Sequence, residues 1–219
     1  MEIPDLNLFM VRRRSAEERF LCRENDPAAG ELPGGFFFDT CRPDELDIWK
    51  AFPFDTPDEA AAYKPYMDGY FDRVYRPKEA EFFSRCIFVR NGEGEPVATA
   101  FLWDAYGSVP TLHWVKTRKE YEGRGIGRAL LTKLLLAEDA PETICLHTQP
   151  GSFRAIKLYT DFGFAFITDE KVGCRENQLA ESLPYLKEAM LPEAYAALRF
   201  EKAPEALLEA AGKYQTSEF

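Results

Sequence analysis

The chain has 219 residues, 46% of them hydrophobic and 14% aromatic, enough for one domain with additions at its ends and too apolar for intrinsic disorder. Its formal net charge of -10 repels nucleic acid and anionic membrane and favours cationic partners. No apolar run approaches the roughly 20 residues that span a bilayer, and Met1-Glu2-Ile3-Pro4-Asp5 carries no basic region ahead of an apolar one, so neither a membrane span nor a signal peptide is expected.

Leu8 to Arg13 reads as a short strand and Phe36 to Asp39 as another, joined through the turn-rich Asn25-Asp26-Pro27-Ala28-Ala29-Gly30. Arg12, Arg13 and Arg14 read as charge protecting a solvated edge strand. Asp44 to Ala51 and Pro57 to Tyr75 are expected helices, the second opened by a capping box of Thr56 and Glu59. Cys86 to Arg90 and Val97 to Trp103 flank the hairpin signal Asn91-Gly92-Glu93-Gly94, and Thr111 to Thr117 is a further strand. Arg124 to Glu138 has apolar residues at Ile126, Leu130, Leu131, Leu134 and Leu135, a helical period. Thr143 to Thr148 is a strand, Phe153 to Phe162 a helix, Phe164 to Thr168 a strand, and the tail beyond Glu170 is mostly helical. An antiparallel meander followed by strand, helix, strand, helix, strand implies an α/β sheet that is antiparallel in its first half and parallel at its middle.

The five cysteines, Cys22, Cys41, Cys86, Cys145 and Cys174, are odd in number, scattered and without CxxC spacing. That pattern fits reduced thiols in a cytoplasm, the expected compartment, better than disulfides or a zinc site.

The chemistry concentrates in Lys116-Thr117-Arg118-Lys119-Glu120-Tyr121-Glu122-Gly123-Arg124-Gly125-Ile126-Gly127-Arg128. A strand ends, glycines recur and an amphipathic helix begins. The first N–H groups of such a helix lack intrahelical partners and lie at the positive end of its dipole, a place for an anion such as pyrophosphate. Lys116, Arg118, Lys119, Arg124 and Arg128 gather there in an otherwise acidic chain. The spacing is not that of a dinucleotide fingerprint, because Arg128 takes the place of the third glycine, and no Gly-Lys-Ser/Thr completes a Walker A loop. A general phosphate binder stays open on these residues alone.

Glu122-Gly123-Arg124-Gly125-Ile126-Gly127 resembles the coenzyme A motif of the GCN5-related N-acetyltransferase (GNAT) family, Gln/Arg-x-x-Gly-x-Gly/Ala, with Glu122 in the first position. Ser152-Phe153-Arg154-Ala155-Ile156-Lys157-Leu158-Tyr159-Thr160-Asp161-Phe162-Gly163-Phe164 resembles the family's Asn-x-x-Ala-x-x-x-Tyr-x-x-x-Gly-Phe, with Ser152 for Asn. The resemblance implies the GNAT acyl-CoA N-acyltransferase fold, a mixed central sheet with splayed parallel strands flanked by helices. It covers roughly residues 35–169, leaving 1–34 as an N-terminal extension and 170–219 as a mostly helical C-terminal one. It further implies acetyl-CoA as cosubstrate, held by Trp114, Val115, Lys116 and Thr117 on the strand, by Glu122, Gly123, Arg124, Gly125, Ile126, Gly127 and Arg128 at the loop, and by Ser152 and Tyr159.

By the same resemblance Tyr159 protonates the departing thiolate. An amine nucleophile arrives protonated and must lose a proton, and His113 or His147 is the expected acceptor through water, with Asp104, Glu120 and Glu122 as further candidates. The amine pocket is expected near Tyr66 and Tyr70, where Tyr63, Phe71 and Tyr75 recur with Asp68 and Asp72. Carboxylates among aromatic faces suit a small cationic amine; a core stripe is the alternative there. No metal is expected, since the histidines lack ligand spacing. A non-catalytic acyl-CoA sensor is the alternative function, and a homodimer stays open.

Overall fold

The computed structural model describes residues 3–14 and 30–219. Cys22 and the turn expected at residues 25–29 lie outside the described residues. The strands are β1 (Leu8–Arg13), β2 (Phe37–Thr40), β3 (Ile87–Arg90), β4 (Pro96–Ala105), β5 (Val109–Thr117), β6 (Thr143–Thr148), β7 (Ala165–Ile167), β8 (Lys171–Val172), β9 (Arg175–Glu176) and β10 (Phe200–Glu201). The α-helices are α1 (Leu46–Ala51), α2 (Pro57–Val74), α3 (Glu79–Arg85), α4 (Ile126–Leu135), α5 (Phe153–Asp161), α6 (Leu179–Ala189), α7 (Pro192–Ala196) and α8 (Glu205–Ala211).

The chain forms two compact units, one of Met1–Arg19, Asp104–Thr111 and Pro141–Phe219, the other of Phe20–Trp103 and Leu112–Ala140. Strands β4 and β5 contribute residues to both. In the second unit the strand order is β5-β4-β3-β2, with β2–β3 and β3–β4 antiparallel. The hairpin signal folds as expected: Gly94 takes φ 86°, and Asn91 Oδ1 accepts from the N–H groups of Glu93 (3.1 Å) and Glu95 (2.9 Å). The capping box of α2 also forms, Glu59 N–H donating to Thr56 Oγ1 at 3.2 Å and Thr56 N–H to Glu59 Oε2 at 3.2 Å. Arg90, 2% exposed, joins β3 to β2 and the turn before α1 through Asp39 (2.7 Å) and Glu45 (2.7 Å); the guanidinium holds the Glu45 carboxyl below its usual range, and the Thr40 backbone N–H together with the guanidinium does the same for Asp39.

The core of this unit is aromatic. Trp49 of α1 is fully buried, with ring centroids of Phe82 at 4.8 Å, Tyr75 at 5.7 Å, Trp114 at 5.8 Å and Phe71 at 6.1 Å. Edge-to-face packing of this kind adds roughly 0.5–1.5 kcal/mol per pair to the burial of the rings.

In the first unit the order is β10-β7-β1-β6-β5, and here the sequence expectation is corrected. Strand β1 does not continue a meander into β2. It is antiparallel to β6, from Leu8↔Thr148 to Arg13↔Thr143, and to β7, at Met10↔Phe166. Its Leu8 to Val11 run is buried on both faces, as a central strand requires. Arg12 is therefore no edge charge: it is 1% exposed and donates from Nε to Phe162 O at 2.8 Å. The expected parallel pair is present, β5 with β6 at Thr111↔Cys145. The tail supplies β10, parallel to β7, and α8, whose Leu207, Ala210 and Ala211 join a core with Phe9, Val11 and Cys145.

Candidate active site

The glycine segment folds as a turn onto a helix. After β5 comes a single helical turn at Lys119–Tyr121, then Gly123 at φ 73° and Gly125 at φ 83°, the residue that precedes α4. Side chains rarely adopt such angles, so glycine is required by the backbone. A Cβ at either position would meet nothing within 4 Å, so the space beside both Cα atoms is open for a ligand to approach. No side chain caps the start of α4 and no acidic residue lies in its first turn. Its leading N–H groups at the positive dipole end thus fit a pyrophosphate-bearing ligand. Ile126, Ala129, Leu130, Leu131 and Leu135 bury the opposite face and fix the helix in place.

The expected cations are partly engaged. Lys116 Nζ lies 2.5 Å from Asp55 Oδ1 in a half-exposed pair, of a kind worth at most about 1 kcal/mol. Arg118 lies over Phe52 at 5.2 Å and Arg124 over Tyr121 at 5.1 Å. Arg124 also donates to Glu120 O at 3.0 Å, bracing the loop across four residues. Lys119, Glu122 and Arg128 are exposed, while Ile126 is buried and Gly127 half-buried.

The strand before the loop is irregular. Trp114 has φ 50°, an outlier for a bulky residue. Its indole N–H donates to Tyr75 Oη at 2.9 Å, and Tyr75 Oη lies 2.5 Å from His113 Nδ1. Burial lowers the His113 pKa to about 3 and pushes that of Tyr75 well up, so both are neutral across the physiological range. Val115, Lys116 and Thr117 are half-buried.

Of the expected acceptor residues, Tyr70 is 6% exposed and stands edge-on to Trp114 with centroids 5.4 Å apart. Tyr66 is 56% exposed, its ring 6.1 Å from Tyr70. Phe71 and Tyr75 belong to the core. Asp68 pairs with Lys50 (2.7 Å) and Lys64 (3.3 Å), and Asp72 with Arg76 (3.1 Å), while the Arg73 guanidinium lies 5.3 Å from the Tyr70 centroid. The carboxylates on which a cationic pocket rested are committed to the chain's own cations. Sequence reasoning missed Tyr75 as the partner of both His113 and Trp114; its only signal was an aromatic closing a helix.

The remaining candidates belong to the first unit. His147 Nε2 is 3.0 Å from Asn7 Oδ1 and its ring 5.2 Å from Phe9; burial, aided by the charge of Arg175, lowers its pKa to about 3. Asn7 is held in turn by Gln178, whose Oε1 accepts from Asn7 N–H at 3.1 Å. Ser152 is exposed at the start of α5. Tyr159 is 6% exposed, beside Phe164 at 5.9 Å, and burial pushes its pKa up. Asp104, in β4, is half-buried, and Glu120, which lies in the second unit, is exposed. Among the described residues, no group of three or more His, Cys, Asp or Glu is placed to hold a metal ion, and no helix is long and apolar enough to cross a membrane.

The profile of the Acetyltransferase (GNAT) family matches residues 46–164, more than half of the chain. A search of curated proteins finds none that matches. Among solved structures, a GCN5-related N-acetyltransferase from Sphaerobacter thermophilus is 17% identical, with 67% of this chain and 44% of that one covered at a TM-score of 0.44. A GCN5-related N-acetyltransferase-like protein from Streptococcus suis is 14% identical, with 75% and 60% covered at 0.42. A tandem GNAT protein from the clavulanic acid biosynthesis pathway is 15% identical, with 75% and 50% covered at 0.46. The chain spans less than two thirds of the length of each. The profile match takes in the glycine turn, the helix it opens and the Tyr159 motif: the chain belongs to the acetyltransferase (GNAT) family.

Proposed function

We propose that the protein transfers the acetyl group of acetyl-CoA to a primary amine by direct attack. The carrying observation is the pair of left-handed glycines, Gly123 and Gly125, open on their Cα faces at the uncapped start of α4. In this reading the N–H groups at the start of α4 hold the pyrophosphate, with Arg124, Arg128 and the half-exposed Lys116 adding positive charge. The irregular strand from Trp114 to Thr117 presents backbone groups to the pantetheine and the thioester. The amine nitrogen attacks the thioester carbon, the C–S bond breaks, and the sulfur takes a proton.

The family motif supports Tyr159 as donor of that proton and Ser152 as a contact to the pantetheine arm. Burial keeps the Tyr159 phenol protonated, the form a general acid requires. At a pKa of about 3 His113 and His147 are neutral but too weakly basic to draw a proton from an ammonium, which argues for the amine's proton leaving through water, with Asp104 and Glu120 as the carboxylate alternatives. Tyr66 and Tyr70 are the proposed acceptor wall. A small cationic amine is supported by the net charge of -10 alone, and a cytoplasmic setting without nucleic acid or membrane partners accords with it.

Calorimetry with acetyl-CoA, and with coenzyme A, NAD and ATP as controls, tests the reading. Tight binding of acetyl-CoA is expected, weakened at least a hundredfold by Gly125→Glu, with thermal unfolding checking that the variant folds. Absence of binding, or equal preference for NAD, would sink it. Binding with no thiol release for any amine in a broad panel would favour the acyl-CoA sensor instead.

A further inference from the structure

Successive side chains of a β-strand point to opposite faces. His113 and Trp114 are successive residues of β5, yet both reach the same atom, the hydroxyl of Tyr75, at 2.5 Å and 2.9 Å. Only a break in the alternation allows this, and the φ of 50° at Trp114 is that break. A left-handed bulky residue is strained and persists only where its surroundings over-determine it. Here they do: the indole is edge-on to Trp49 at 5.8 Å and to Tyr70 at 5.4 Å, and its one polar atom is tied to Tyr75.

The bonding at Tyr75 is directional. An indole N–H can only donate, so the phenol oxygen accepts from Trp114. The phenol's own proton is then available to His113 Nδ1, which a neutral imidazole can accept. Tyr70 makes a further hydrogen bond to the same hydroxyl. Tyr75 cannot drift, because it is fully buried among Trp103 (5.0 Å), Phe82 (5.0 Å) and Phe101 (5.5 Å). One hydroxyl thus fixes two consecutive residues of β5 from below, and with them the direction in which the next peptide groups, at Val115 and Lys116, leave the strand.

We propose that Tyr75 is a positioning residue of the acyl-donor strand: through the Trp114 indole it holds the left-handed turn of β5 and so aims the Val115 and Lys116 backbone at the thioester. His113 belongs to the same device as the group that orients the Tyr75 hydroxyl. The proposal rests on the acetyl-CoA reading for its catalytic consequence and on the geometry of β5 for the device itself.

Tyr75→Phe removes the oxygen and leaves the ring among its neighbours; Trp114→Phe removes the donor from the other side. Each is expected to lower kcat for acetyl transfer ten- to a hundredfold, with the KM for acetyl-CoA and the Kd for free coenzyme A changed at most tenfold and by less than kcat, since the glycine loop that holds the pyrophosphate is untouched. The double variant is expected to fall no further than the worse single one, because both remove the same bond. Losses that multiply in the double variant, or single variants with kcat within threefold of the parent, overturn the proposal. If Tyr75→Phe fails to fold, Trp114→Phe carries the test alone. If the parent transfers no acetyl group to any amine, it is the function that has failed. The device is then judged by amide NMR, where Tyr75→Phe must shift the Val115 and Lys116 backbone resonances and the Trp114 indole signal; unshifted resonances overturn it.

Discussion

The two histidines stand one in each unit, and the contrast between them shows two ways of burying an imidazole. His113 sits among rings, with Phe101 and Trp103 packed around its polar partner Tyr75, and answers to a hydroxyl fixed by a tryptophan. His147 is held by an amide, Asn7, itself held by Gln178 at the start of α6, with Arg175 stacked over the neighbouring Phe9 at 5.0 Å. Both are neutral with pKa about 3. The difference lies in what supports them: an aromatic core of high packing cost around His113, and a polar clamp built from the chain's N-terminal segment around His147. A residue type that reads as a proton carrier in sequence is, in both places, a hydrogen-bonded part of the interior.

The contrast is sharpest at the centre of the aromatic core. Trp49→Ala empties the site that Phe71, Tyr75, Phe82 and Trp114 surround, and should destabilise the protein by about 3–5 kcal/mol in urea unfolding, the usual cost of deleting a buried large aromatic; a loss below about 1 kcal/mol would mean that the rings do not form one packed cluster.

Acid addresses both histidines together. Their folded pKa values lie below the unfolded value of about 6.5, so the unfolded state binds more protons between about pH 6.5 and 3. The stability they confer is complete above pH 6.5 and is lost as pH falls. Each should contribute a slope approaching about 1.4 kcal/mol per pH unit. The window from pH 6.5 to 5.5 isolates them, because the carboxyls of Asp39 and Glu45, held low in the folded state, begin to matter only below it, as pH nears their unfolded values of 3.8 and 4.5. His147→Asn should halve that slope in unfolding curves taken across the window, and an unchanged slope would contradict its buried neutral state.

Asn7→Ala removes the acceptor of His147 while leaving the aromatic core alone. It should cost about 1–3 kcal/mol, the penalty of an orphaned buried polar group, with no change in the Trp114 indole NMR signal. Smallest of all, Lys157→Ala breaks an exposed pair with Asp161 at 2.7 Å, four residues along α5. The change should stay within about 0.5 kcal/mol and vanish in high salt.

Local pattern carried much of this. The capping box at Thr56 and Glu59, the turn at Asn91–Gly94, the glycine turn and the strand–helix order from β5 to β7 are all written in short stretches, and the structure has them within a few residues. What escaped was non-local or conformational. Nothing within Leu8 to Arg13 says which strands will flank it, because partner choice depends on residues far along the chain, so three arginines read as an exposed edge. Nor does His113-Trp114-Val115 contain a glycine or asparagine to announce a positive φ; that turn comes from tertiary contacts with α2 and the residue closing it. The site was legible where backbone chemistry demanded particular residues, at Gly123 and Gly125, and opaque where side chains met across distance, at Tyr75, Asn7 and Asp55.

The placement of β1 also sets a timetable. Leu8 pairs with Thr148 and Met10 with Phe166, so once made β1 waits for partners about 140 residues or more downstream. At synthesis rates of roughly 5–20 residues per second the wait is about 7–28 s. Throughout it the apolar run Leu8-Phe9-Met10-Val11 has no native partner. The insertion of β1 is a slow closure of high contact order, and until it occurs the chain offers an unpaired hydrophobic segment to whatever chaperone or neighbouring chain meets it first.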